Sequence, residues 1–316
     1  MAPSGPLIFF GTSSFAVPSL EALAAAGEDV RLVVTQPDRP GGRGRRTQPP
    51  PVKAAAERLG LPLFQPERVN DPEAVAAIAR LAPEALVVVA YGQLLGAPLL
   101  AVARRGAVNL HPSLLPRHRG PSPVAWTILS GDAEAGNSTM LLDEGMDTGP
   151  VLLQESVPVG PGATRGELED VLARQGAGLL VRTLRGLRGG TVHPVPQDEA
   201  RATASRLLTP ELRAVCWERS AEEVRRVIHA LSPQPGALAA VGGRLVKVLR
   251  VRVVAGAGTP GRVIELGREG PVVACKEGAV LWLEVQPEGK RAMGGADFAR
   301  GKGVAAGQQV EAPPHG

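Results

Sequence analysis

Asn109, His111 and Ser113 fall at every second position of the stretch VNLHPSLLPRHRG, residues 108–120. In an extended chain that period brings the Asn amide and the imidazole to one face. An N–H donor beside an imidazole suits stabilisation of charge developing on an oxygen, with the ring able to move a proton near neutral pH. Pro112 has no N–H for a sheet ladder, so a strand should end or lie at an edge here, releasing those side chains into a crevice. Spacing alone leaves a second reading open, in which the Asn and His only satisfy backbone groups at a strand end.

Two further clusters bear on the chemistry. LLDEGMDTGPVL, residues 141–152, carries Asp143, Glu144 and Asp147, with Gly145 and Gly149 bending the backbone around the third carboxylate. Asp147 could orient or charge-balance an imidazole if the two loops meet; an ordinary acidic turn is the alternative. PDRPGGRGRR, residues 37–46, sets Arg39, Arg43, Arg45 and Arg46 among three glycines. Such a run is usually a solvated basic loop, and contact with an RNA backbone is the sharper reading. Other chemistries lack their residues. No GxGxxG follows the first strand, and neither GxxxxGK[ST] nor GxSxG occurs. The histidines at 111, 118, 193, 229 and 315 do not cluster at metal spacing, so no metal is expected. His118, between two arginines, is expected at the surface.

These residues need elements to position them. Residues 7–10, 30–36, 86–91, 107–111 and 138–143 read as strands, several of them apolar without alternation, as strands buried on both faces are. Between them, 17–26, 52–59 and 73–81 carry helical spacing, and 167–187 is a long amphipathic segment ending at Gly189-Gly190. The alternation implies βαβ units in a mostly parallel, doubly wound sheet, where ligands bind beyond the carboxyl ends of the strands. Residues 190–209 read as a linker. A helix over 221–231 follows, then short strands over 238–241, 245–254, 261–266, 271–274 and 280–285, which suggest a small barrel or sandwich.

With 316 residues, 44% hydrophobic and 21% charged, the chain has the composition of a globular soluble protein of one large or two ordinary domains. A net charge of +4 is too small by itself to mark a nucleic-acid binder; its concentration in the arginine run matters more. The first residues lack the basic start and long apolar run of a secretory signal, and the apolar runs are too short to span a bilayer. Cys216 and Cys275 form no disulfide framework. No membrane association and a reducing, cytoplasmic setting are therefore expected.

Taken in order, GTSSFAVPSLEAL, VVTQPDRPGGRGR, VVVAYGQLL, NLHPSLLPRHRGPSPVAWTILSGD, MLLDEGMDTGPVL and PEGKRAMGGADFARG resemble the motifs of the bacterial methionyl-tRNA formyltransferase family, over nearly the whole chain. The resemblance implies formyl transfer from 10-formyltetrahydrofolate to the α-amino group of initiator methionyl-tRNA. By position, Asn109, His111 and Asp147 match the family's catalytic residues. Ser113, Leu114, Leu115 and Pro116 match its folate-contacting segment, and the loop bearing Arg39, Arg43, Arg45 and Arg46 matches the segment that engages the tRNA acceptor end. The implied fold is a Rossmann-like domain over 1–189, a linker over 190–209 and an OB-like, tRNA-binding barrel over 210–316, with a monomer as the default. Three departures stand out. Pro112 replaces a small residue, 121–126 and 136–140 differ from the commoner forms, and Cys216, read as a buried structural cysteine, stands where Asp is frequent. The alternatives are another formyl-folate enzyme, with a sugar-nucleotide or purine-intermediate acceptor or hydrolysing the donor, and a non-catalytic RNA-binding relative.

Overall fold

The computed structural model describes residues 5–41, 46–301 and 303–313, and of residues 40, 41, 46 and 47 the backbone only. The elements begin with β1 (Leu7–Gly11), α1 (Val17–Ala25), β2 (Val30–Val34) and the antiparallel pair β3 (Arg39–Gly41) and β4 (Arg46–Gln48). Next come α2 (Pro51–Arg58), β5 (Leu63–Phe64), α3 (Pro72–Ala79), β6 (Ala85–Val89), α4 (Ala97–Leu100) and β7 (Ala107–His111). Then follow α5 (Pro123–Ser130), β8 (Glu134–Leu141), β9 (Val151–Pro158) and α6 (Arg165–Gly189). The chain divides into two compact units. One takes in the residues up to 120, with 135–157 and 169–204; the other takes in 121–134, 158–168 and the chain from 205 onward.

In the first unit, seven strands run in the order β5-β2-β1-β6-β7-β8-β9. The pairs β2/β5, β1/β2, β1/β6 and β6/β7 are parallel and β7/β8 is antiparallel. β1 and β6 are buried at every position, which explains their unbroken runs of Leu, Ile, Phe and Val. From β1 the chain builds outward through β2 and β5, then returns to β6 on the other side. That reversal is the kind of switch point at which a crevice opens beyond the carboxyl ends of the strands. Thr12 spans it, its Oγ1 donating to the Tyr91 carbonyl at 2.7 Å.

The expected strand over 138–143 begins earlier and ends at Leu141. Its central residues Asn137, Ser138 and Thr139 are fully buried polar side chains, which an apolar pattern does not flag. Beyond Leu141 the acidic turn takes over. Asp143 Oδ1 accepts from Gly145 N at 3.0 Å and from Thr148 Oγ1 at 2.8 Å. Gly149 is obligatory there, because a Cβ would meet the Leu141 carbonyl oxygen at 1.9 Å.

The second unit continues with α7 (Ala221–Leu231), opened by a reciprocal Ser220–Glu223 capping box. Its strands are β10 (Ala237–Val241), β11 (Arg244–Val254), β12 (Val263–Leu266), β13 (Pro271–Ala274), β14 (Ala279–Pro287) and β15 (Met293–Gly294), followed by α8 (Gly295–Arg300) and β16 (Val310–Glu311). They form a curled antiparallel sheet in the order β12-β13-β14-β11-β10-β16, as the barrel-like expectation requires. Register breaks at Val248/Arg250 and Arg250/Val251 supply the bend in β11. Trp217, Trp282 and Phe298 stack at the centre of its core. Cys216 is exposed, contrary to expectation; Cys275 is the buried cysteine, its thiol pushed up to about 12 by burial. Among the described residues no helix is long and apolar enough to cross a membrane.

Candidate active site

β7 delivers Asn109 and His111 to the carboxyl edge of the sheet, where the ladder to β8 ends with His111 opposite Ser138. Among the described residues nothing bonds the Asn109 amide, so its N–H donors remain open to a ligand. His111 is buried, and its Nε2 lies 3.0 Å from the His118 carbonyl oxygen. A carbonyl only accepts, so Nε2 carries the hydrogen and Nδ1 is the nitrogen left for chemistry.

Asp147 faces that nitrogen. Its Oδ2 stands 3.6 Å from His111 Nδ1, close enough for charge compensation but beyond a direct hydrogen bond. The same oxygen accepts from Gly120 N at 2.8 Å. The Asp147 backbone sits in the left-handed region at φ 56, unusual for a residue other than glycine and a kind of strain that clusters at functional sites. The two loops that sequence could only suppose to meet do meet. Of the three acidic residues, Asp147 is the one the fold brings to the imidazole, while Asp143 spends its carboxylate inside its own turn.

His118 corrects the surface expectation. It is 4% exposed, at φ 57, and its carbonyl is the partner that fixes the His111 ring. Its place between two arginines does not expose it, and the 203 segment bonds the backbone at His118 and Arg119. His118 N donates to Thr203 Oγ1 at 2.9 Å, and Arg119 N donates to the Thr203 carbonyl at 2.9 Å.

Comparison with known proteins gives this geometry a family. Residues 6–184 match the family model described as "Formyl transferase", and residues 207–303 match "Formyl transferase, C-terminal domain". A methionyl-tRNA formyltransferase of Geotalea uraniireducens is 43% identical over 95% of this chain and 96% of its own length. That of Moorella thermoacetica is 44% identical over 93% of this chain and 96% of its own. The chain belongs to the methionyl-tRNA formyltransferase family. Among solved structures, HypX from Aquifex aeolicus in complex with tetrahydrofolic acid superposes with a TM-score of 0.66 at 19% identity, over 95% of this chain and 48% of that one, a likeness of fold.

Against the family's motifs, the 113–116 segment divides. Ser113 and Leu115 are buried, and Ser113 Oγ donates to the Arg117 carbonyl at 2.7 Å. Leu114 and Pro116 are half-buried, so these two side chains and the backbone are what the segment presents. Arg39 is exposed on β3. Arg43 and Arg45 lie outside the described residues, as does the side chain of Arg46.

Pattern reasoning passed over the polar side chains that hold this edge of the sheet together. Ser138 Oγ donates to the Ser113 carbonyl at 2.6 Å and accepts from Leu115 N at 3.0 Å and Gln154 Nε2 at 2.8 Å. The stretch read as a linker contributes too. Val195 pairs with Val151 and Ala204 with Arg119, and Gln197 and Glu199 both bond Arg119. Its composition of Pro, Gln, Asp and Ala carries no periodic signal; only the P-x-D-E character of the run sets it apart, and contact with a distant loop leaves no mark on local pattern.

Proposed function

We propose that the chain transfers the formyl group of 10-formyltetrahydrofolate to the α-amino group of methionyl-tRNA at the Asn109–His111–Asp147 cluster. The end-to-end match to relatives named for that reaction carries the reading, and the acceptor in those names does not favour a sugar nucleotide or a purine intermediate. The chemistry suits the residues. The neutral amine attacks the formyl carbon, giving a tetrahedral state with charge on oxygen. Asn109 donates to that oxygen, and His111 Nδ1 can donate to it once protonated, with the Asp147 carboxylate compensating the ring's charge. The new C–N bond forms and the bond to N10 of the folate breaks. The proton shed by the amine is relayed by the His111–Asp147 pair and ends on N10.

Leu114, Pro116 and the backbone of 113–116 are assigned to the folate, and Arg39, Arg43, Arg45 and Arg46 to the phosphates at the tRNA acceptor end. Along the chain we assign a formyltransferase domain to 1–189, a linker to 190–209 and a tRNA-binding domain to 210–316. Preference for the initiator tRNA, a monomeric state and a cytoplasmic location complete the reading. One assay tests it. The protein is mixed with 10-formyltetrahydrofolate and methionyl-tRNA, with an amino sugar nucleotide as competing acceptor. Formylmethionine is the expected product; formylation of the sugar alone, or of neither, overturns the reading.

A further inference from the structure

We infer that Gln197, in the stretch that reads as a linker, is a positioning residue that sets the Asp147 carboxylate against His111. The inference rests on the role given to Asp147 under Proposed function. One amide joins the two loops that make the site. Its Nε2 donates to the Asp147 carbonyl at 2.8 Å and to the Gly149 carbonyl at 2.7 Å. Its Oε1 accepts from Arg119 Nε at 3.0 Å and Nη2 at 2.9 Å. Both donors and both lone pairs are engaged, and the arrangement fixes which end is which. Turned over, the amide would set its oxygen against two carbonyls and its N–H groups against a guanidinium.

The two loops so joined carry the side-chain hydrogen bonds found for the His111–Asp147 pair among the described residues. The 118–120 segment supplies the carbonyl that holds His111 Nε2 and the Gly120 N–H that holds Asp147 Oδ2. The 147–149 turn carries Asp147 itself, in a left-handed backbone that a non-glycine residue keeps only when its surroundings dictate it. Gln197 bonds the carbonyls on both sides of that turn and the guanidinium beside Gly120. Arg119 is clamped from its other side by Glu199, at 2.9 Å and 2.7 Å, and this bond is the main cause of its raised pKa. Charged throughout the working range, the guanidinium is a constant donor to Gln197. A side chain some fifty positions away in the chain thus holds the carboxylate's orientation without touching a reacting atom.

Gln197→Glu tests this, since it keeps the shape and the acceptor for Arg119 but turns an oxygen toward the Asp147 and Gly149 carbonyls. Misplacing a reacting group by about 1 Å costs on the order of 100-fold in rate. The expected result is a fall in kcat approaching that size, with KM for folate and for tRNA changed by less than roughly 2-fold, the scatter of independent effects. Added to Asp147→Asn, the same substitution should cost almost nothing further, because its effect passes through Asp147. Near-wild-type kcat, or an equal loss in the Asp147→Asn background, overturns the inference. Thermal melting of each variant identifies simple unfolding, and Gln197→Leu serves as a second probe if Gln197→Glu does not fold. Should the wild type form no formylmethionyl-tRNA, the functional reading fails. The inference is then decided by a crystal structure of the Gln197 variant. An Asp147 carboxylate displaced from Gly120 N upholds it, and an unchanged turn refutes it.

Discussion

His111 has one ring nitrogen to work with, because the His118 carbonyl claims the other. In the proposed reaction a proton passing through the ring would therefore run over Nδ1, the atom Asp147 faces. Asn109 differs in that its amide has no partner among the described residues. Removing its amide leaves no orphaned group among the described residues, so the fold should tolerate Asn109→Ala while the developing oxyanion loses a donor. Expected is a fall in kcat of about 10²–10³, with methionyl-tRNA binding retained, read by single-turnover formylation beside a tRNA-binding titration. His111→Ala should lose at least as much, since it removes the proton carrier as well. Near-normal turnover in either variant would refute the proposed site.

At the scale of elements, the 113–116 segment is held in place by a side chain on the neighbouring strand. Ser138, on β8, bonds the backbone at both Ser113 and Leu115 and also Gln154. Ser138→Ala would leave the buried Ser113 carbonyl and Leu115 N–H without that partner, each such loss costing about 1–3 kcal/mol. The protein should remain folded but melt earlier. KM for the folate donor should rise more than KM for tRNA, because the loosened segment is the one assigned to folate. Equal effects on both substrates would remove that assignment. The same strand shows how context overrides pattern: residues 136–140 look like a departure from the family's usual residues, yet they supply the peg.

Across the whole molecule, the two units interleave along the sequence. α5 lies in the second unit, where it packs on α7 and buries Val124, Ala125 and Ile128. A pH-sensitive element lies in that unit's core. His229, on α7, is fully buried, its Nε2 is within 3.1 Å of the Val251 carbonyl, and Nδ1 has no partner among the described residues. Burial first, then Arg225 and Arg250, lower its pKa from 6.5 to about 4. The unfolded chain therefore takes up a proton below pH 6.5 that the folded chain refuses until about pH 4. Stability falls as the pH drops through that window and levels off below it. At about 1.4 kcal/mol for each pH unit between those two values, this one group accounts for about 3 kcal/mol. Denaturant unfolding at pH 7 and pH 4 checks the value, and His229→Leu should flatten the pH dependence by about that much. An unchanged slope would show that His229 does not carry it.

Sequence by itself determined the parallel character of the first sheet and the antiparallel second one, because burial on both faces writes apolar runs and glycine turns directly into the chain. A period of two and a glycine-bent acidic turn, both local facts, singled out Asn109 and His111 and a group of three carboxylates, each with a purely structural alternative left open. Tertiary structure decided what distance along the chain hides. Asp147 rather than Asp143 or Glu144 reaches the imidazole, and the His118 carbonyl takes Nε2 and leaves Nδ1 toward Asp147. Ser113 and Leu115 are buried, and the stretch read as a linker bonds Asp147 and Arg119 through Gln197 and His118 through Thr203. Each of those outcomes depends on hydrogen bonds between residues far apart in sequence, whose directions are set only when the sheet brings its strand ends together.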